Sequence, residues 1–195
     1  MIESVSGNIV ALNPAAVTVE TPGGVGYLVN ITLPTYSALE GKENTRLLIH
    51  EAIREDAWVL YGFLDENERM LFRLLIGVSG VGAGSARMIL SAIPSAELAA
   101  VIASADASRL KSVKGIGAKT AERIIVDLKD KIKADPSALL DKPNVIRGND
   151  YEEAVEALVI LGFQRQASQK VVKKLFAENP ALSIEAAVKK AMSLL

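Results

Sequence analysis

Over the first sixty residues apolar positions come in short β-type runs, and the spacing then turns helical. Ile9-Val10-Ala11-Leu12, Val17-Thr18-Val19-Glu20 and Val25-Gly26-Tyr27-Leu28-Val29-Asn30-Ile31 are rich in strand-forming residues. Asn13-Pro14 and Pro22-Gly23-Gly24 punctuate them as turns. Two further runs, about Arg46–Ile53 and Ala57–Tyr61, are joined by Arg54-Glu55-Asp56. This density of short strands predicts a small closed barrel of the OB-fold type over residues 1–63.

From Asp65 the period changes. Asp65 with Glu68 three residues later reads as a capping-box start, and Met70, Leu71, Leu74 and Leu75 recur at helical spacing. Helical signatures continue to about Ile132, with N-caps expected at Ser95 and Asp106. Residues 134–149 have no consistent period and contain two prolines and a glycine, so they read as a flexible linker, about 20–24 Å root-mean-square in span. Three short helices follow, about Tyr151–Leu161, Arg165–Ala177 and Ile184–Leu194. Gly162 is a C′ glycine, Asn179-Pro180 a break and Ser183 an N-cap. The predicted class is multidomain α+β. It comprises an OB-fold barrel (1–63), an all-α central domain (64–133), a linker (134–149) and a three-helix, UBA-like bundle (150–195).

The central region repeats itself. Residues 75–90 match residues 110–125: Leu75 with Leu110, Val78 with Val113, Gly80 with Gly115, Val81 with Ile116, Gly82 with Gly117, Ser85 with Thr120, Ala86 with Ala121. Each copy reads as helix, Gly-apolar-Gly turn, helix. Glycines allow positive φ and close approach of another molecule. Val81 or Ile116, between them, can pin the turn to the core. The following helix starts at once, so its unpaired N–H groups and its dipole make an anion site. Ser85 and Thr120 can add hydroxyl donors, and Ala86 and Ala121 permit close helix packing. A glycine-turned hairpin with no ligand is the plain alternative for one copy; a duplicated copy set among Lys111, Lys114, Lys119, Arg123 and Lys129 favours phosphate. The pattern is that of a helix-hairpin-helix, a grip on DNA backbone that does not read bases. With about four phosphates neutralised, log affinity should fall against log salt with a slope of about −3.6.

Charge supports this only when divided along the chain. The net charge is −1, yet residues 108–133 carry 8 basic and 3 acidic side chains, and residues 1–62 carry 3 basic and 7 acidic. Because screening limits charge effects to about 8–10 Å, the local patch decides what is attracted. There is no cysteine and a single histidine, His50, which reads as a strand-end side chain; thiolate metal sites and cysteine nucleophiles are excluded, and no cofactor or metal is expected. A Walker A loop would need glycine where Ala118 precedes Lys119-Thr120, and a dinucleotide fingerprint would need glycine at Ser85. No apolar run approaches the roughly 18–20 residues of a membrane span, and the N-terminus lacks a signal-peptide layout, so a cytoplasmic setting is expected.

The order barrel, tandem helix-hairpin-helix, linker and three-helix tail resembles the RuvA family. The likeness runs through Gly23-Gly24-Val25-Gly26-Tyr27, Arg54-Glu55-Asp56-Ala57, Leu60-Tyr61-Gly62-Phe63, Gly80-Val81-Gly82, Gly115-Ile116-Gly117, Lys119-Thr120-Ala121-Glu122-Arg123 and Leu158–Phe163. The resemblance implies a bacterial, non-catalytic subunit that binds four-way (Holliday) junctions in recombination and repair. It implies a homotetramer, or an octamer on DNA, that recruits the RuvB hexameric ATPase for branch migration, with RuvC resolvase as a further partner. By residue it implies DNA contacts from Gly80, Val81, Gly82, Ser85 and Arg87 in the first hairpin. In the second it implies contacts from Lys114, Gly115, Ile116, Gly117, Lys119, Thr120 and Arg123. Glu55 and Asp56 would form an acidic pin that repels phosphate at the crossover, where the bare reading is a solvated turn. Leu158, Leu161, Phe163 and Met192 would dock on RuvB. The family often has lysine where this chain has Gly84 and Ala118, so the second hairpin is expected to contribute more. The alternatives are a general helix-hairpin-helix repair protein without junction preference and a protein-interaction module with structural hairpins.

Overall fold

The computed structural model describes residues 1–134, 150–179 and 182–195. They fall into two compact units, residues 1–134 in the first and residues 150–179 and 182–195 in the second. The predicted linker falls outside the described residues, except for Ala134, and so does Pro180.

The first unit opens with five strands: β1 (Ser4–Asn13), β2 (Ala16–Glu20), β3 (Gly26–Asn30), β4 (Asn44–Ile53) and β5 (Trp58–Phe63). They close in the order β1-β2-β3-β5-β4, the predicted barrel. All pairs are antiparallel except β3 with β5, where Val29 faces Leu60 and Asn30 faces Tyr61. β1 pairs with β2 at one end and with β4 at the other, and its register shifts between Ile9 and Ala11 as it bends. The interior holds Val5, Val17, Val19, Val29, Ile31, Leu39, Leu47, Ile49 and Leu60. Gly62 is required by this closure. A Cβ there would lie 2.5 Å from Val29 Cγ1 and 3.1 Å from Leu47 Cδ1, inside the packed barrel.

Between β3 and β4 lies a helix that the strand pattern does not announce, α1 (Leu33–Leu39). Thr32 caps it by accepting from the Thr35 N–H, and Pro34 sits in its first turn. With seven residues it is too short to display a period.

The helices of the first unit continue as α2 (Glu66–Ile76), α3 (Ala83–Ala92), α4 (Ser95–Ala103), α5 (Ala107–Lys111) and α6 (Ala118–Ala134). Asp65 and Asp106 cap α2 and α5 as expected. Two local expectations are corrected. Ser95 is the first residue of α4, and Pro94 holds the cap position without a side-chain bond. Glu68 does not complete a capping box, because its carboxylate accepts from Thr32 Oγ1 at 2.6 Å and Thr35 Oγ1 at 3.3 Å instead. It thus ties α2 to α1. Burial, opposed by these two bonds, raises its pKa above the usual carboxylate value.

The helical core is continuous with the outer face of the barrel. Phe72 of α2 meets the rings of His50, Tyr61 and Phe63 at centroid distances of 5.2, 5.0 and 5.0 Å. Phe63, at the predicted domain boundary, is itself buried in the helical core. Arg69, also buried, pairs with Glu3 and Glu66 and donates to the carbonyls of Glu3 and Ile49. The expected domains 1–63 and 64–133 are therefore packed as one body, with His50 serving as a strand side chain whose pKa is lowered by burial and by Arg73 and Arg69.

The second unit comprises α7 (Asp150–Ile160), α8 (Arg165–Glu178) and α9 (Ile184–Met192) around Ala154, Val155, Leu158, Val172, Leu175, Leu182, Ala187 and Ala191. Gly162 ends α7 at φ +97°, and the bonds Gly162 N–H to Val159 O and Phe163 N–H to Leu158 O complete its C-cap. Ser183 caps α9 by accepting from the Ala186 N–H at 3.3 Å.

Candidate nucleic-acid interface

The two hairpins are α2-turn-α3 and α5-turn-α6, and their turns repeat atom for atom in pattern. In each, the apolar residue bonds back to the preceding helix end: Val81 N–H to Val78 O and Ile116 N–H to Val113 O, both 3.0 Å. Val81 and Ile116 are buried, as are Ala86 and Ala121. Burial of Val81 and Ile116 stabilises each turn by about 1.5–3 kcal/mol. These side chains hold the loop; they are not surfaces that a ligand can touch, so any DNA contact at positions 81 and 116 is made by backbone.

The glycines divide into two kinds. Gly80 and Gly115 both sit at φ +90°, where a Cβ is strained. Gly82 has φ −85° and ψ 168°, an ordinary extended conformation, and Gly117 likewise lacks a positive φ. A Cβ on Gly82 or Gly117 would meet nothing within 4 Å. The expectation that both glycines serve positive φ is thus corrected: only the first does, and nothing inside the fold requires the second. Gly82 and Gly117 accept the first helical bonds, from Ala86 and Ala121, both at 2.9 Å. Lacking side chains, they cap nothing. The first N–H groups of α3 and α6 are left to an outside acceptor.

An open cleft of about 510 Å³ joins the two copies. Ser79 and Gly80 of the first turn line it together with Lys119, Thr120, Glu122, Arg123, Val126 and Asp127 of α6. Arg123 Nη1 donates to Ser79 O at 3.4 Å, so a base of the second hairpin braces the turn of the first. Lys114 and Lys119 are exposed, Ser85 and Thr120 half-buried, and none of the four has a protein partner among the described residues.

Other expected residues lie elsewhere. Arg87 faces the barrel, donating through Nη1 to Ala15 O at 2.8 Å and Asn30 Oδ1 at 3.0 Å. Through Nη1 its guanidinium joins α3 to the strands, a role the sequence pattern does not announce. Gly84 and Ala118, the positions without lysine, are both exposed. Glu55 and Asp56 are exposed at the tip of the β4–β5 hairpin, closed by Arg54 N–H to Ala57 O at 2.8 Å.

In the second unit Leu158 is 0 % exposed, packed in the core of the bundle. Phe163 is half-buried against that core, whereas Leu161 and Met192 are exposed. The residue that the sequence pattern did not single out is Ile160, 83 % exposed at the end of α7. The apolar run passes from buried Leu158 through half-buried Val159 to exposed Ile160 and Leu161, a distinction that helical phase alone could have drawn.

Comparison with known proteins agrees along the chain. Residues 1–62 match the family profile described as RuvA N terminal domain. Residues 72–130 match a SAM-like helix-hairpin-helix tandem, and residues 149–195 the RuvA C-terminal domain. A protein of Bacteroides thetaiotaomicron, named Holliday junction branch migration complex subunit RuvA, is 51 % identical over the full length of both chains. Proteins of the same name from Bacteroides fragilis and Porphyromonas gingivalis are 50 % and 46 % identical, again end to end. The chain belongs to the RuvA family. The duplicated turn thus falls within the matched helix-hairpin-helix tandem, and the α7–α9 bundle within the matched C-terminal domain.

Proposed function

We propose that this chain binds four-way DNA junctions as the non-catalytic subunit of a branch migration complex. The observation that carries the reading is the pair of matching glycine turns, each leaving the first amides of a helix open, the second beside the unpaired Lys114 and Lys119. Phosphate oxygens satisfy such amides, and backbone contacts of this kind hold a duplex without reading its sequence. Gly82 and Gly117 keep the approach clear. The second hairpin supplies most of the charge through Lys114, Lys119 and Arg123, while the first supplies mainly amides and Ser85.

In a homotetramer, four such pairs match the four arms of a junction. The exposed Glu55 and Asp56 of each copy then face the crossover and repel phosphate there, holding the strands apart as they exchange partners. ATP hydrolysis belongs to the RuvB motor, which docks on the second unit through Ile160, Leu161 and Met192. RuvC can share the junction on the opposite face of one tetramer, a geometry that an octamer would close. A bacterial cytoplasm suits these partners, and among the described residues no single helix is long and apolar enough to cross a membrane.

The test is a gel-shift titration of a four-way junction and a linear duplex over a salt series, with native mass measurement of the complex. A junction preference that weakens steeply with salt, on a fourfold assembly, is expected. Equal affinity for linear duplex by a monomer would favour a general repair protein, and salt-insensitive or absent binding would favour a protein-interaction module.

A further inference from the structure

The β4–β5 ladder has two faces, and one of them runs off the end of the barrel. Along β4 and β5 side chains alternate, so Leu47 and Ile49 share a face with Leu60 and Gly62. These line the barrel interior, while His50, Ala52, Tyr61 and Phe63 pack on the helical core. The register continues without a shift to the last pair, Ile53 opposite Trp58. By parity this pair belongs to the barrel-core face, yet Ile53 is 70 % and Trp58 65 % exposed. Core-type residues in core register thus stand uncovered, directly beneath the Arg54-Glu55-Asp56 tip.

We propose that Trp58 is a stacking platform for an unpaired nucleobase at the DNA crossover. The inference rests on the junction-binding reading above. Glu55 and Asp56 repel phosphate but not the uncharged face of a base, and a base leaving its stack at the crossover needs a new π-surface. Indole supplies one for any base. A second copy of the chain is the weaker occupant. The exposed part of Trp58 amounts to roughly 100–160 Å² of a side chain that buries about 150–250 Å². That is far below the ~800 Å² per partner of a stable interface.

Trp58 is the only tryptophan, so its fluorescence reports on this site alone. The full-length protein is titrated with a synthetic four-way junction carrying 2-aminopurine at the crossover, or about one helical turn (~10 base pairs) into an arm. Junction binding is followed in parallel by gel shift. The free protein should emit like a water-exposed indole. Binding should quench Trp58 and change 2-aminopurine emission at the crossover only. Trp58→Ala and Trp58→Leu should lower junction affinity by about 5- to 150-fold and leave linear-duplex affinity unchanged, whereas Trp58→Tyr should restore most of it. Saturable junction binding with silent tryptophan overturns this proposal alone, as does full rescue by leucine. So does a buried-type emission in the free assembly, which would mark a neighbouring copy as the occupant. Failure of the wild-type protein to bind the junction at all removes the underlying reading with it.

Discussion

Replacing each turn glycine with alanine should separate folding from DNA binding, because the two glycines of each turn have different reasons to be glycine. At Gly80 and Gly115, φ is +90°, so a Cβ costs about 1–2 kcal/mol of backbone strain. In a unit of this size that lowers the melting temperature by roughly 4 °C per kcal/mol. At Gly82 and Gly117 the backbone is not left-handed and the space around a Cβ is open. Alanine is a poorer N-cap than glycine by roughly 0.5–1 kcal/mol, but it also removes about 0.4–1 kcal/mol of unfolded-state freedom. The two nearly cancel, and stability should hold within about 0.5 kcal/mol. The added methyl stands where phosphate must come. Loss of one amide–phosphate bond at about 1.5–3 kcal/mol predicts a roughly 10- to 150-fold fall in junction affinity for Gly117→Ala, and Gly117→Val should do no better. The assay is thermal melting beside fluorescence-anisotropy titration at fixed salt. If Gly117→Ala melts like the parent and binds junction DNA equally well, the amides of α6 do not hold phosphate and the reasoning fails.

Other outcomes follow from the same structure. Lys114→Gln with Lys119→Gln should reduce the slope of log affinity against log salt by about 0.9 for each phosphate that a subunit no longer neutralises, measured by anisotropy over a salt series. Glu55→Gln with Asp56→Gln should leave stability unchanged, since both side chains are exposed at a turn, and should relax junction-over-duplex preference or alter the branch-migration rate in a reconstituted assay with RuvB. Removing residues 150–195 should preserve junction binding and abolish RuvB recruitment in a pull-down; Ile160→Asp should do the latter in the full chain without unfolding it, as read by circular dichroism. Glu68 has a folded-state pKa raised mainly by burial, so its contribution to stability is fully present below its unfolded value and is lost as pH rises through the folded one. The stability of the parent relative to Glu68→Gln should therefore increase on acidification across that window, in denaturant titrations at stepped pH.

The barrel, the duplicated hairpins and the tail helices were readable because each rests on local physics. Alternation, a glycine turn with an apolar pin, and capping residues such as Asp65, Asp106 and Ser183 act within a few residues of themselves. What escaped depends on distant partners. Helix α1 is held by Thr32 and Thr35 bonding to Glu68, thirty-six and thirty-three residues away, a tie that also takes Glu68 out of the predicted capping box. Leu158 and Ile160 are alike in residue type but stand two positions apart on α7, so helical phase puts one in the core and the other on the surface, a distinction the reading of the apolar run did not draw. Of the two reasons read for the turn glycines, positive φ applies only to the first of each pair, because φ is set by the whole turn and not by residue type.

Arg87 carries the same lesson into function. In the repeat it aligns with Glu122, and Met88 aligns with Arg123. The first copy directs its arginine to Ala15 O and Asn30 Oδ1 on the barrel, while the second directs its arginine to Ser79 O in the turn of the first. One duplicated backbone has thus diverged into an anchoring hairpin and a charged hairpin. The anchor fixes the acidic tip of β4–β5 relative to the amides proposed to grip phosphate, since both belong to one packed body. A single-residue break of that anchor, Arg87→Met, should therefore weaken junction discrimination more than it weakens binding to linear duplex, whereas loss of a phosphate ligand would weaken both alike.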